Sequence, residues 1–477
     1  MADLPYNDAA FLLRRMGFGG TREQIEALVA LGREGAVDHL LNYEQIKNTK
    51  FEKQLKASLN LASNPGFVSV NIRRWWLARM MLSERQFEEK LTLFWHNFFA
   101  TSDAKTFSEF MHFQNLTLRQ YGLGRFDELV TKVAQDPAML MWLDGFLNVR
   151  GEPNENFARE LQELFTMGTH DAVTGEPNYT EEDVKEIARA FTGWQISFRG
   201  RIKINKPKKF QSIFIDSLHD ASAKTVYGET ANYKGEDIIT IICNRRATPR
   251  FLVKKIFEFF VRPLTDSQSD KQIIEKFADV YVANDHQLKP LFRAIFISEE
   301  MFSPEARAGI VKSPVEFIIN SIRAFAPNSQ EHLRLLAQDL VIFTTLFQMG
   351  MHLYRPPDVS GWQLNLGWIN TSTMLERFNF ASRLASNRDQ FTFNGPYLTQ
   401  NQLRAHTRPT AEETVTNFLF TLGPIDVDQE TYQRLVQHLV TDAQGNTVEF
   451  RVNDATINNR VRSLVHQILS LPEYQLS

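Results

Sequence analysis

Cysteine is almost absent from this chain of 477 residues: Cys243 stands alone. A single thiol excludes an intrachain disulfide framework and leaves the redox compartment open. Cys243 follows Ile241 and Ile242 with no base nearby in sequence, so it is expected in the core and not as a nucleophile. Excess charge is scarce too. A net charge of −3, from 53 Lys+Arg against 56 Asp+Glu, argues against a chain-wide nucleic-acid surface, and no nucleic-acid partner is expected. The one basic run, RGRIKINKPKK at 199–209, reads as a solvated loop. No stretch approaches the ~18 apolar residues that cross a bilayer, so a soluble chain with no membrane span is expected. The opening MADLPYNDAAFLLRRMGFGG lacks a basic region followed by a long apolar run and a cleavage site, so no signal peptide is read there. Familiar catalytic signatures are missing as well: no G-x-S-x-G elbow, no Walker loop, no H-E-x-x-H and no Cys/His zinc spacing. Gly17-Phe18-Gly19-Gly20 has neither the strand nor the Lys of a phosphate loop, and reads as a helix stop.

What is present is a globular composition, 43% hydrophobic and 23% charged, with 38 phenylalanines to fill a thick aromatic core. Apolar residues recur at three-to-four-residue spacing through most of the chain, which predicts an all-α fold: a large multi-helix assembly. One departure, the stretch near 195–216 that opens with QISFRG, alternates polar and β-favouring residues and predicts a small β-hairpin. Two regions are expected: a helical core over 1–390, and a C-terminal helical subdomain over 391–477 packed on it after a polar linker. Local signals place several helix starts. Thr21 with Gln24 fits a capping box, Asp136-Pro137 an N-cap with a first-turn proline, and Thr180 an N-cap ahead of Glu181, Glu182 and Asp183. TPRFLVKKIFEFFV is read as starting at Thr248, and 49–66 as polar chain ending in a turn. PLFRAIFISEEMF and SLVHQILSLPEYQ share a pattern that hints at a repeated unit.

Chemistry is concentrated in three places. In PNENFARELQELFTMG, Phe157, Leu161, Leu164 and Phe165 form one apolar face, and Asn156, Glu160 and Glu163 share its flank. Glu160 falls about 40° from Leu164 on the helical wheel, so it borders the core and needs a partner, a proton or a metal. Arg159 points toward Glu155 and Glu163. In EKLTLFWHNFFA, His96 and Asn97 have apolar neighbours on every side of a helix, which predicts burial and a need for hydrogen-bond partners. His219-Asp220 and Lys224 come after the predicted hairpin and suit either acid–base or hard-metal chemistry, or a turn cap. His170-Asp171 reads as a solvated loop pair.

Several blocks resemble the bacterial family catalogued as domain of unknown function 1800. They are LLRRMGFGGT, EKLTLFWHNFFATS, NENFARELQELFTMG with YTEEDVKEIARAFTGW, HDASAKTVYG, ATPRFLVKKIFEFFV and PPDVSGW with WINT, in family order over roughly residues 10 to 385. The family's polar positions fall on His96, Asn97, Glu155, Asn156, Arg159, Glu160, Glu163, His219, Asp220, Lys224 and Trp362. Phe98 stands where the family carries a second His, and Arg246-Ala247 where it carries His-Pro, which weakens any His-rich metal site. The resemblance names no reaction. It implies export, and a sulfatase-like protein as a partner encoded nearby.

Two functional readings fit these residues. In the first, the chain is an acid–base or metal-assisted hydrolase or lyase on a polymer such as a polysaccharide. His96, Glu160, Glu163, His219 and Asp220 would then do the chemistry, and Asn97, Asn156, Arg159, Lys224 and Trp362 would hold substrate. A divalent metal of unknown identity is the one cofactor this reading allows. In the second, the chain is a non-catalytic binding or scaffold protein. Its buried His/Asn/Glu network is then structural, and the loop Pro357–Trp368 meets a partner. Convergence of His96, Glu160 and His219 on an open pocket favours the first; a sealed network favours the second.

Overall fold

Side-chain caps decide where several helices begin in the computed structural model, which describes residues 3–59, 69–197, 211–307, 309–325, 335, 339–386 and 409–477. After α1 (Tyr6–Arg15), Thr21 and Gln24 close a capping box at the head of α2 (Arg22–Leu41). This helix continues to Leu41 across Gly32, whose φ of 68° kinks the chain. Residues 49–59, expected as polar chain, form α3 (Thr49–Leu59), because Phe51 and Leu55 lie one turn apart and are both buried. Next come α4 (Ser69–Leu82), α5 (Gln86–Phe98), α6 (Ser108–Tyr121) and α7 (Phe126–Ala134). Asp136 caps α8 (Pro137–Trp142), accepting from Ala138 N at 2.9 Å. A short α9 (Asn156–Glu163) and α10 (Glu181–Ala190, boxed by Thr180 and Asp183) complete this half.

The predicted hairpin is β1 (Trp194–Ser197) paired antiparallel with β2 (Gln211–Phe214), Trp194 opposite Phe214. The basic run 199–209 lies outside the described residues. A second hairpin, β3 (Lys224–Val226) with β4 (Glu229–Ala231), was not expected from the sequence. Helices then resume with α11 (Gly235–Asn244), α12 (Ala247–Phe260), α13 (Gln268–Ala283) and α14 (Leu288–Ile297). Thr248 does not cap α12; its hydroxyl donates to Ile242 O at 2.7 Å. The fold is mainly all-α, with two small two-stranded sheets among the described residues. No described helix is long and apolar enough to cross a membrane.

The buried side chains form two clusters. The first gathers α1, α2, α7 and α9 to α14. The second gathers α4 and the helix Pro314–Phe325 with the helices Thr371–Ala385, Ala411–Thr421 and Arg462–Ser470. Between them runs α5, in which every residue except Asn97 is buried. Leu91, Phe94, Trp95 and Phe98 belong to the first cluster and Leu93 to the second. Close approach at its far end requires glycine: a Cβ on Gly122 would stand 2.9 Å from the Trp95 ring. The site is built around the last turn of this helix.

Candidate functional site

His96 sits 1% exposed among three rings, with centroids 5.3 Å away for Trp76 and 5.5 Å for both Tyr354 and Trp362. Burial pushes its pKa down to about 3, so the imidazole is neutral near pH 7. Its Nε2 and the Tyr354 hydroxyl have no hydrogen-bond partner among the described residues. Such a group is shut off from any open substrate surface.

Asn97 turns the other way. Its Oδ1 accepts the backbone N–H of Trp362 at 2.7 Å. Gly361, at φ 84°, lies so close that a Cβ there would stand 2.5 Å from Asn97 O. Further anchors hold the start of the same loop. Asp103 N donates to Tyr354 O at 2.9 Å, and the fully buried Asp103 carboxylate takes Arg355 Nε at 2.7 Å as well as Arg73. Arg73 Nε also donates to Leu353 O at 2.9 Å. Tyr354 occupies this seat with a left-handed backbone, φ 61°, a strained state for a non-glycine residue that surrounding structure must enforce. The clamped loop walls a cleft of about 530 Å³, whose other sides include Phe94 and Phe98 of α5, Leu164 after α9 and Phe259 of α12. Leu366, 78% exposed, stands at its rim.

The α9 flank lies beside this loop. Glu160 is half-buried and its carboxylate has no hydrogen bond or ion pair among the described residues. Burial raises its pKa, Glu163 and Asp358 add to the rise, and Arg159 opposes it. Glu163 is engaged, accepting from the Tyr179 hydroxyl at 3.1 Å. Arg159 pairs with Glu181 at 2.8 Å and Glu155 at 3.3 Å, so it ties α9 to the head of α10. Asn156 is exposed, and its backbone N–H is held by Asn154 Oδ1 at 2.9 Å.

The third group is bound up in its own turn. His219 is buried, with Nδ1 3.0 Å from Thr192 O and its ring against Phe214 at 5.3 Å. Asp220 takes Arg189 Nε at 2.8 Å and Ser222 N at 3.0 Å; burial alone would raise its pKa, but these bonds hold it well below the usual carboxylate range. Lys224 Nζ donates to the carbonyls of Asp220 at 2.6 Å and Ser222 at 2.9 Å, and burial lowers its pKa. No hydrogen bond or ion pair among the described residues joins His96, Glu160 and His219. No group of three or more His, Cys, Asp or Glu among the described residues is placed to hold a metal. The sequence reading missed Asp103, Arg73 and Asp358. Asp103 lies in the ATSDAKT stretch, next to the Phe-Trp-His-Asn block, and that adjacency was the one available signal.

Fold and site together define an all-α protein in which buried and half-buried polar groups clamp a Pro/Trp loop over a cleft. The chain belongs to the family described as protein of unknown function DUF1800, whose model matches residues 11–476. The match runs past the resembling blocks, through the C-terminal helices. No curated protein and no solved structure matches the chain.

Proposed function

We propose that this chain is a non-catalytic binding or scaffold protein, with the cleft beneath the loop Pro357–Trp368 as its contact site. The observation that supports this most is the Asn97–Trp362 hydrogen bond of 2.7 Å, with His96 sealed behind it. Polar groups that an active site would present to substrate are instead used to fix a loop. Asp220, His219 and Lys224 are likewise engaged in holding a turn. The cleft offers apolar walls and an exposed Leu366 at its edge, a surface suited to a partner's apolar side chain. The partner class is the sulfatase-like protein that the family resemblance implies. Co-purification with a sulfatase-like protein from the same organism should be lost in Leu366→Arg, which leaves the buried clamp intact. Undiminished co-purification by that variant, or none by the wild type, removes the reading.

The half-buried Glu160 supports a second reading, in which it serves as a general acid or metal ligand at the cleft's edge, on a polymer such as a polysaccharide. Metal analysis of purified wild type and Glu160→Gln separates the two. The binding reading expects no stoichiometric metal and a melting temperature in the variant equal to or above wild type, since an unpaired half-buried carboxylate is relieved. Stoichiometric metal that the variant loses, with a raised melting temperature, favours the enzyme.

A further inference from the structure

A second cavity, with a lining distinct from that of the loop's cleft, is built from the helices on either side of the clamped loop in the chain and from one near the C-terminus. It is an open trough of about 930 Å³ between the helices Asp339–Gln348, Thr371–Ala385 and Arg462–Ser470, within the range of small-ligand sites. Immediately before the last of these helices the backbone makes a π-helical turn, Ile457–Val461, closed by the five-residue bond from Arg462 N–H to Ile457 O. Such turns insert an extra residue into a helix and recur at functional sites. Here the turn brings Asn458 and Asn459 to the trough wall side by side.

The chemistry of the lining is uniform. Thr344 and Gln348 are one turn apart on one wall, Asn379 and Ser382 share the second, and Asn459 and Ser463 the third. None of these six side chains has a hydrogen-bond partner among the described residues. Hydroxyls and amides both donate and accept, which is the pattern that sugar hydroxyls require. The charged groups point the same way. Arg462 is committed to the carbonyls of Ala385 at 3.0 Å and Ser386 at 3.1 Å and to Asn458 Oδ1 at 3.1 Å. Burial lowers the pKa of His466, opposed by its bond to the backbone of Phe378. Glu376 and Arg383 also line the trough, so its charges are mixed in sign and the wall offers no concentrated cationic patch for an anionic ligand. Phe347, 65% exposed and about 60° around the helix from Thr344, adds an aromatic face beside the trough.

We propose that this trough is a binding site for a neutral oligosaccharide, with Gln348, Asn379 and Asn459 reading its hydroxyls. The test is calorimetric titration of the full chain with cellohexaose, maltohexaose, xylohexaose and chitohexaose. At least one should saturate at or below millimolar concentration. The double variant Gln348→Ala/Asn459→Ala, both exposed positions, should bind that sugar at least about tenfold more weakly at an unchanged melting temperature. Leu366→Arg, in the other cleft, should bind it as wild type does. The proposal is overturned if none of the four sugars saturates, if the double variant binds like wild type, or if hexagalacturonate binds as well as the neutral sugars.

Discussion

His96 keeps a neutral imidazole between Trp76, Tyr354 and Trp362, and that sets a pH dependence. The folded value of about 3 lies below the ordinary value near 6.5, so the unfolded chain takes up the proton first. The neutral group's contribution is therefore complete above about pH 6.5 and lost as pH falls toward 3, by roughly 1.4 kcal/mol per unit. His96→Phe should lose about 1–2 kcal/mol less than wild type between pH 7 and pH 5, read from urea midpoints. Some slope should persist, because burial also lowers His112, to about 4. The burial of His96 was legible in the sequence, since a helix apolar on every side leaves it no other place, but Asn97, expected inside with it, is only half-buried because it faces the loop at Trp362. Their surroundings were not. Trp362 is 265 residues away from Asn97, and no local pattern encodes a hydrogen bond across that separation.

At the level of elements, the hairpin β3–β4 shows why short sheets escape a sequence reading. Its turn is Tyr227-Gly228, with φ values of 51° and 84°, where Asn-Gly would be the familiar signal. Tyrosine is a poor left-handed residue, and three contacts enforce the conformation. Its backbone N–H donates to Asp183 at 2.7 Å, its hydroxyl to Gln162 at 2.7 Å, and Arg245 lies 4.1 Å over its ring. Tyr227→Phe should destabilise by about 1–3 kcal/mol in denaturant titration, because the fully buried Gln162 loses its donor. Helix starts were legible where a side chain caps the backbone, as at Thr21, Asp136 and Thr180. They were misplaced where burial rules, as at α3 and Thr248.

Across the whole molecule, one buried ion pair stitches α5 to the helix Pro314–Phe325. Lys90 and Glu316 bond directly, each side chain nearly closed to solvent. Burial lowers the Lys90 pKa against the pull of Glu316. Burial would raise Glu316, but Lys90 prevails and holds it low. Glu316→Gln should cost about 3–5 kcal/mol by leaving a buried ammonium unpaired, and Lys90→Met/Glu316→Leu should recover most of that. Chemical denaturation of the single and double variants checks both.

The position of α5 between two clusters also constrains how the protein can be made. Its first face meets helices on both sides of it in the chain, but the second, begun by Trp76, is completed by Glu316, Tyr354 and Trp362. Synthesis runs from the N-terminus, so α5 emerges long before half of its surroundings exist. The nascent chain must carry an apolar helix with one side only partly covered until the chain past Trp362 has left the ribosome. Release of an incomplete chain is then a route to aggregation, and folding is committed late.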